Sequence, residues 1–177
     1  GMESANQYTL DKLDKGLKVE QIEEGVRMAK AGGLAPHLTI MMGYPWETYE
    51  DARRTVQLAK DCFKKVYVDT LQATVVIPYP GTPLWKECRE KDWLLSEDYE
   101  DYDMRKPVMK CPLSDGQVLE LTQDLYKAFL SPQFIWRQLT SIKNLDDIKY
   151  YLSALWRFIG HLTDFSPKQL SQHGENN

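Results

Sequence analysis

Two uncharged or nearly uncharged stretches constrain this chain most. Each runs into a glycine–proline corner and then into a capped helix. Leu38-Thr39-Ile40-Met41-Met42, bounded by Pro36 and Gly43, reads as a strand buried on both faces. Residues 66–77, rich in Val, Ile, Thr and Tyr, read as a longer strand ending at Pro78-Tyr79-Pro80-Gly81. After the first corner, Thr48 caps a helix with Asp51 three residues on, and Ala52, Val56, Ala59 and Phe63 mark its buried stripe. After the second, Thr82 precedes Pro83 at the first helical position, where a missing N–H costs nothing; that helix runs to about residue 91. Strand, helix, strand, helix implies an α/β chain with parallel strands and right-handed crossovers. Two strands cannot cover both faces of such a sheet, so the chain is expected to be part of a larger α/β barrel or sheet.

The flanks read as helix. Leu10, Leu13 and Leu17 place one over residues 6–16, and Val19, Ile22, Val26 and Ala29 place another over 19–31, stopped by Gly32-Gly33. Residues 92–112 lack a period and hold several large apolar side chains, so they are expected to form an ordered loop. Beyond them lie a helix over 114–130 with a Ser114–Gln117 capping box, a short helix over 134–142, and a final helix over 144–163. The last carries a seam of Ile148, Leu152, Leu155, Ile159 and Leu162.

Composition narrows the function class. With 22 basic and 26 acidic residues among 177, the net charge is −4, unlike a basic nucleic-acid binder. No apolar run approaches the roughly 20 residues of a membrane span, and no secretory leader opens the sequence. Cys62, Cys88 and Cys111 stand too far apart for a metal knuckle or a disulfide framework. They read as small buried hydrophobes in a cytoplasmic protein.

In parallel α/β folds, functional groups gather where strands end and helices begin. Three corners qualify: Gly1 to Ser4, if a strand ends there; Met42 to Thr48; and Ile77 to Pro83. Other candidates have plainer readings. His37 falls at a strand start, the stability end of a barrel, and His161 and His173 lack partners at ligand spacing. Glu47 fits the first turn of its helix, where a carboxylate favours the dipole. The acidic run 97–103 reads as solvated surface. Tyr79, Tyr99, Tyr102 and Trp93 fit a pocket for a flat substrate or the packing of a long loop.

The corners carry a resemblance. Gly1-Met2-Glu3-Ser4-Ala5-Asn6-Gln7 with Lys15-Gly16, then Met42-Gly43-Tyr44-Pro45-Trp46-Glu47-Thr48, then Pro78-Tyr79-Pro80-Gly81-Thr82-Pro83-Leu84 resemble the fourth-, fifth- and sixth-strand corners of radical S-adenosylmethionine enzymes. The subgroup is the cobalamin-binding one that includes anaerobic oxidative-cyclase-like proteins. The resemblance covers residues 1 to about 140. It implies half of a partial TIM-like barrel over 1–91, a connecting loop over 92–112, a helical region over 113–165 and a flexible tail over 166–177. It implies a parent that uses S-adenosylmethionine, a four-iron four-sulfur cluster and cobalamin for radical methyl transfer or oxidative cyclisation of an unidentified small-molecule substrate. The cluster and cobalamin ligands would lie in a missing N-terminal half, and the fragment alone would be inactive. Glu3 would accept the ribose hydroxyls with Ser4 assisting; Met41, Met42 and Gly43 would contact adenine; Ile77 and Tyr79 would border the same ring. Family members have Gly where Ala5 and Trp46 stand, so the second corner is expected to take a different shape. Two other readings compete. One is an interaction module that pairs with a second copy through exposed strand edges or the final helix. The other is a non-radical barrel enzyme with Glu3 or Glu47 as general base.

Overall fold

The computed structural model describes residues 1–104 and 107–142, with single positions 149 and 153. The helix expected over 144–163 and the tail over 166–177 lie outside the described residues apart from those two positions. The chain divides into two units, residues 1–128 and 129–177.

The first unit is α/β, in the order α1 (Gln7–Lys12), α2 (Val19–Ala31), β1 (His37–Met42), α3 (Tyr49–Lys64), β2 (Thr70–Val75), α4 (Pro83–Glu90) and α5 (Asp115–Tyr126). Strands β1 and β2 pair in parallel from His37–Thr70 to Met42–Val75. A short third segment joins them. Glu3 bridges Ile40 in parallel, donating its N–H to the Thr39 carbonyl (3.2 Å) while its own carbonyl accepts from Met41 (2.8 Å). Three parallel segments therefore run side by side, and their chain-wise ends share one edge of the sheet.

The expectation of a strand buried on both faces is not met. Leu38, Ile40 and Met42 are buried, as are Leu71, Ala73 and Val75, whereas His37, Thr70 and Gln72 are exposed and Thr39, Met41 and Thr74 half-buried. The covered face lies against α3, which buries Ala52, Val56, Ala59 and Phe63, and against α5, which buries Val118, Leu121 and Leu125. Burying a large aliphatic side chain is worth about 1.5–3 kcal/mol, so this face holds the unit together. On the other face the imidazole of His37 meets Thr70 Oγ1 (2.7 Å) and Gln72 Oε1 (3.3 Å).

Two further expectations shorten. The 66–77 strand contracts to β2 because Val66, despite its β-branched side chain, turns left-handed (φ 61°). Its N–H and that of Tyr67 close the end of α3 on Phe63 and Cys62. The helix over 6–16 ends at Lys12, with Asp14 (φ 53°) and Gly16 (φ 59°) reversing the chain. Helix α2 matches its expected span, and Lys30–Asp69 (2.7 Å) and Lys65–Glu23 (2.7 Å) tie it to its neighbours.

The outer edge of β2 is partly closed. The Val75 N–H reaches the Met104 carbonyl (3.3 Å), and the buried phenol of Tyr126 accepts from the Ala73 N–H. The described residues of the 92–112 stretch, 92–104 and 107–112, are ordered. Leu94 bridges Met109 antiparallel, Leu95 donates to Val108 (2.9 Å), and a single 3-10 turn covers Tyr99–Asp101. Among the described residues, the second unit holds α6 (Pro132–Ser141), preceded by a 3-10 turn that straddles the boundary (Lys127–Leu130). Within that unit Phe129 meets Phe134 edge-on at 5.3 Å. No described helix is long and apolar enough to cross a membrane.

Candidate functional site

The shared edge gathers all three corners. At the first, Glu3 pairs with Ile40, whose side chain faces the helices and is fully buried. An extended backbone would send Glu3 the same way. Its φ of 61° diverts it instead. A Cβ built on Gly1 would lie 2.4 Å from Glu3 Oε1 and 2.7 Å from Thr39 Oγ1, so the carboxylate sits beside Thr39, on the side away from the helices. Left-handed backbone costs a non-glycine residue about 1–2 kcal/mol and persists only where its surroundings enforce it. The carboxylate stays part-exposed, its side chain 18% accessible, and Lys15 Nζ lies 3.0 Å from Oε1.

Ser4 occupies a different environment. It is fully buried and donates to Glu47 Oε1 (2.5 Å), while its oxygen accepts from the Asn6 N–H (3.0 Å). The Ala5 N–H reaches Thr55 Oγ1 (2.8 Å) on α3. Ser4 is thus occupied by the protein itself, while the Glu3 carboxylate faces the rim.

At the second corner Met42 is fully buried, Met41 is half-buried on the open face, and Gly43 bends at φ 91°. That angle favours glycine, and a Cβ there would lie 3.5 Å from Val75 Cγ1. Trp46 gives the corner its form. Its ring stacks on buried Tyr44 (centroids 5.3 Å apart), Lys12 Nζ sits 3.8 Å above it, and Nε1 donates to Thr9 Oγ1 (3.1 Å). The bulk that a tight turn could not hold is folded back against α1.

Glu47 lies one residue before the N-cap Thr48, not in the first turn of α3. It is fully buried, and Oε1 accepts from both Ser4 and Thr9 (2.6 Å). Oε2 has no hydrogen-bond partner. Burial raises its carboxyl above the ordinary range, more than the two hydroxyl bonds lower it. Three residues on, Asp51 shifts the other way. Burial pushes it up, but hydrogen bonds from Thr48 and Arg54 outweigh that and hold it low. Burial, with Glu3 and Glu47 nearby, also keeps the Tyr44 phenol protonated. Fully buried and bonded to two hydroxyls, Glu47 is badly placed as a general base for solvent-borne substrate.

At the third corner, Val76 donates to the Met42 carbonyl (2.9 Å), which ties this corner to the second. Ile77 is buried and Tyr79 is 43% exposed. Tyr102 packs edge-on against both Tyr79 (6.2 Å) and Tyr99 (5.6 Å), while Trp93 packs into the cluster of Tyr44, Val76, Cys88 and Met109. The tyrosines expected to line a pocket therefore meet, and the tryptophan does not join them. A separate hollow of about 280 Å³, lined by Cys88, Arg89, Asp92, Leu94, Leu95, Ser96 and Glu97, shares no residue with the three corners.

The edge fits the sugar and base of a nucleoside in kind. It has a part-exposed carboxylate with two acceptor oxygens and apolar groups beside it, while Gly43 is buried against Val75 and Cys111. It does not fit an iron–sulfur cluster. Cys62 and Cys88 are fully buried, burial pushes the Cys62 thiol up to about 11 and also raises Cys88 and Cys111, and no group of three His, Cys, Asp or Glu side chains is placed to hold a metal among the described residues. The sequence signal missed was Glu47, whose partners lie 43 and 38 residues away.

Comparison with known proteins places the chain among named relatives. It is 33% identical over 130 residues to an uncharacterized methyltransferase of Pyrococcus horikoshii, covering 73% of this chain and 28% of the relative. It is 26% identical over 161 residues to the anaerobic magnesium-protoporphyrin IX monomethyl ester cyclase of Rubrivivax gelatinosus, covering 90% and 28%. It is 29% identical over 112 residues to the bacteriochlorophyllide d C-8(2)-methyltransferase of Chlorobaculum tepidum, covering 62% and 24%. The chain thus spans about a quarter of the length of these relatives. No family model matches it. Two of these relatives are named methyltransferases and one a cyclase, the two reaction types that the resemblance of the corner motifs implies.

Proposed function

We propose that this chain forms the ribose and adenine side of an S-adenosylmethionine site in a radical enzyme of the methyltransferase or cyclase type. The observation that carries the reading is the convergence of Glu3, Met41 to Gly43, and Ile77 on one edge of three parallel segments, with the Glu3 carboxylate turned away from the covered face. In such an enzyme S-adenosylmethionine with an iron–sulfur cluster would supply the radical chemistry, and no described group of this chain is placed to hold that cluster.

The residues here bind and orient. Glu3 accepts hydrogen bonds from the two ribose hydroxyls, and Lys15 keeps its negative charge compensated. Gly43 turns the chain at the end of β1, and Met41 and Ile77 are the apolar neighbours of the base. In the full-length parent, further strands would cover the open face of the sheet and complete a partial barrel, and cobalamin would serve methyl transfer. The acceptor is a small molecule; a flat macrocycle, as in the names of two relatives, suits the exposed Tyr79 and Tyr99. Pairing with a second copy through the β2 edge has less to work with, since Ala73 and Val75 already have partners there.

The test is calorimetric titration of the chain with S-adenosylhomocysteine. Binding that falls at least tenfold in Glu3→Gln supports the assignment, since hydrogen bonds to a charged group are worth about 1.5–3 kcal/mol. Equal binding by the two proteins contradicts it. Iron uptake with cleavage of S-adenosylmethionine by the 177-residue chain alone would contradict the division of labour.

A further inference from the structure

The residue after Glu3 is pinned from several directions, and the pins lead to one buried side chain. Ser4 donates to Glu47 Oε1 at 2.5 Å and accepts from the Asn6 N–H at 3.0 Å. Its N–H returns to the Met2 carbonyl (2.8 Å), and the next N–H, of Ala5, is held by Thr55 (2.8 Å). Glu47 is in turn fixed by Thr9 of α1, which also receives Trp46 Nε1. Glu3 itself has neither a glycine's freedom nor an asparagine's local bond to justify φ 61°. Two things hold it there: the backbone bond from the Ser4 N–H to the Met2 carbonyl, which closes a tight turn over Glu3, and the fixed position of the Ser4 side chain.

We infer that Glu47 is a positioning residue for Glu3. Through Ser4, the second corner locks the first and aims the Glu3 carboxylate at the nucleoside edge rather than at the helices. This rests on the proposed role of Glu3 as the ribose ligand. Glu47 touches no ligand. It acts by accepting the Ser4 hydroxyl where water cannot replace it. Relaxing Ser4 lets Glu3 return to an extended backbone, which swings its side chain toward the face of Ile40. Nucleoside binding then keeps its base contacts and loses its ribose contacts.

Two probes separate these contributions, adenosine and 2′,3′-dideoxyadenosine, titrated into the 177-residue chain. Wild type is expected to prefer adenosine by about tenfold or more, from hydrogen bonds to a charged acceptor. Ser4→Ala and Glu47→Leu should bring that preference close to one, as Glu3→Ala does, with affinity for the dideoxy compound unchanged. Glu47→Gln should keep the preference, because its amide oxygen can accept the same two hydroxyl protons. Should Glu47→Leu fail to fold, Ser4→Ala decides, since it removes one oxygen and no more. A folded Ser4→Ala protein with the full wild-type preference overturns the inference. So does an equal loss of affinity for both probes, which marks a general packing role. A wild type without preference overturns the ribose role of Glu3 itself, and the positioning role falls with it.

Discussion

The two faces of the small sheet are built from the same strands and have opposite chemistry. Leu38, Ile40, Met42, Leu71, Ala73 and Val75 are sealed under α3 and α5, while His37, Thr39, Met41, Thr70, Gln72 and Thr74 remain polar, open or half-open. The covered face carries stability. The open face, with Glu3 turned beside Thr39, is the one that the proposed function gives to the ligand. A strand alternates its side chains strictly, so one stretch of six residues can serve both ends at once.

Substitutions can break or sharpen this contrast. The largest effect is expected from Ile40→Ala, about 2–5 kcal/mol lost in denaturant unfolding, because it opens a cavity on the covered face. Thr39→Ala, one residue away on the other face, should stay within about 0.5 kcal/mol. Similar losses at both positions would erase the distinction. Next comes the cap that starts the covering helix. Thr48 accepts from the Asp51 N–H, and Asp51 bonds back to Thr48, so Thr48→Ala should cost about 1 kcal/mol in thermal or chemical unfolding.

The buried carboxyls sharpen the contrast through pH. Glu47 binds its proton more tightly folded than unfolded. Its contribution is complete below the ordinary glutamate range and drains away as pH rises through its raised value. Glu47→Gln should therefore flatten the decline in stability on the alkaline side of that range. Asp51 is held low, so its contribution is present above the ordinary aspartate range and fades as pH falls through its folded value. Asp51→Asn should flatten the acid side. Unfolding midpoints measured across pH for both variants check both signs. The smallest effect belongs to the Lys60–Asp124 pair (2.8 Å) at the margin of α3 and α5, where Lys60→Met should cost about 0–1 kcal/mol.

Much of the frame was legible. The caps at Thr48, Thr82 and Ser114 and the span of α2 follow from local chemistry, since each depends on neighbours three or four residues away. The open face was missed: Leu38-Thr39-Ile40 and Leu71-Gln72-Ala73-Thr74-Val75 do alternate, but the missing charge in the first stretch reads as burial on both sides. Val66 misled through its β-branched side chain: the end of α3 demanded a left-handed residue there, and closure of the helix outweighed strand preference. Of the site, Glu3 and the glycine bend stand out by motif. The burial of Ser4 and the grip of Glu47 depend on contacts some forty residues apart, and nothing local announces them.

The central claim is that the three corners form one nucleoside-binding edge. Adenosine titrated into isotope-labelled chain, followed amide by amide by NMR, tests it most directly. The account predicts saturable shifts concentrated at Glu3, Met41 to Gly43, and Val76 to Tyr79. Shifts confined to the hollow between Cys88 and Glu97, or no saturable shifts at all, would contradict it.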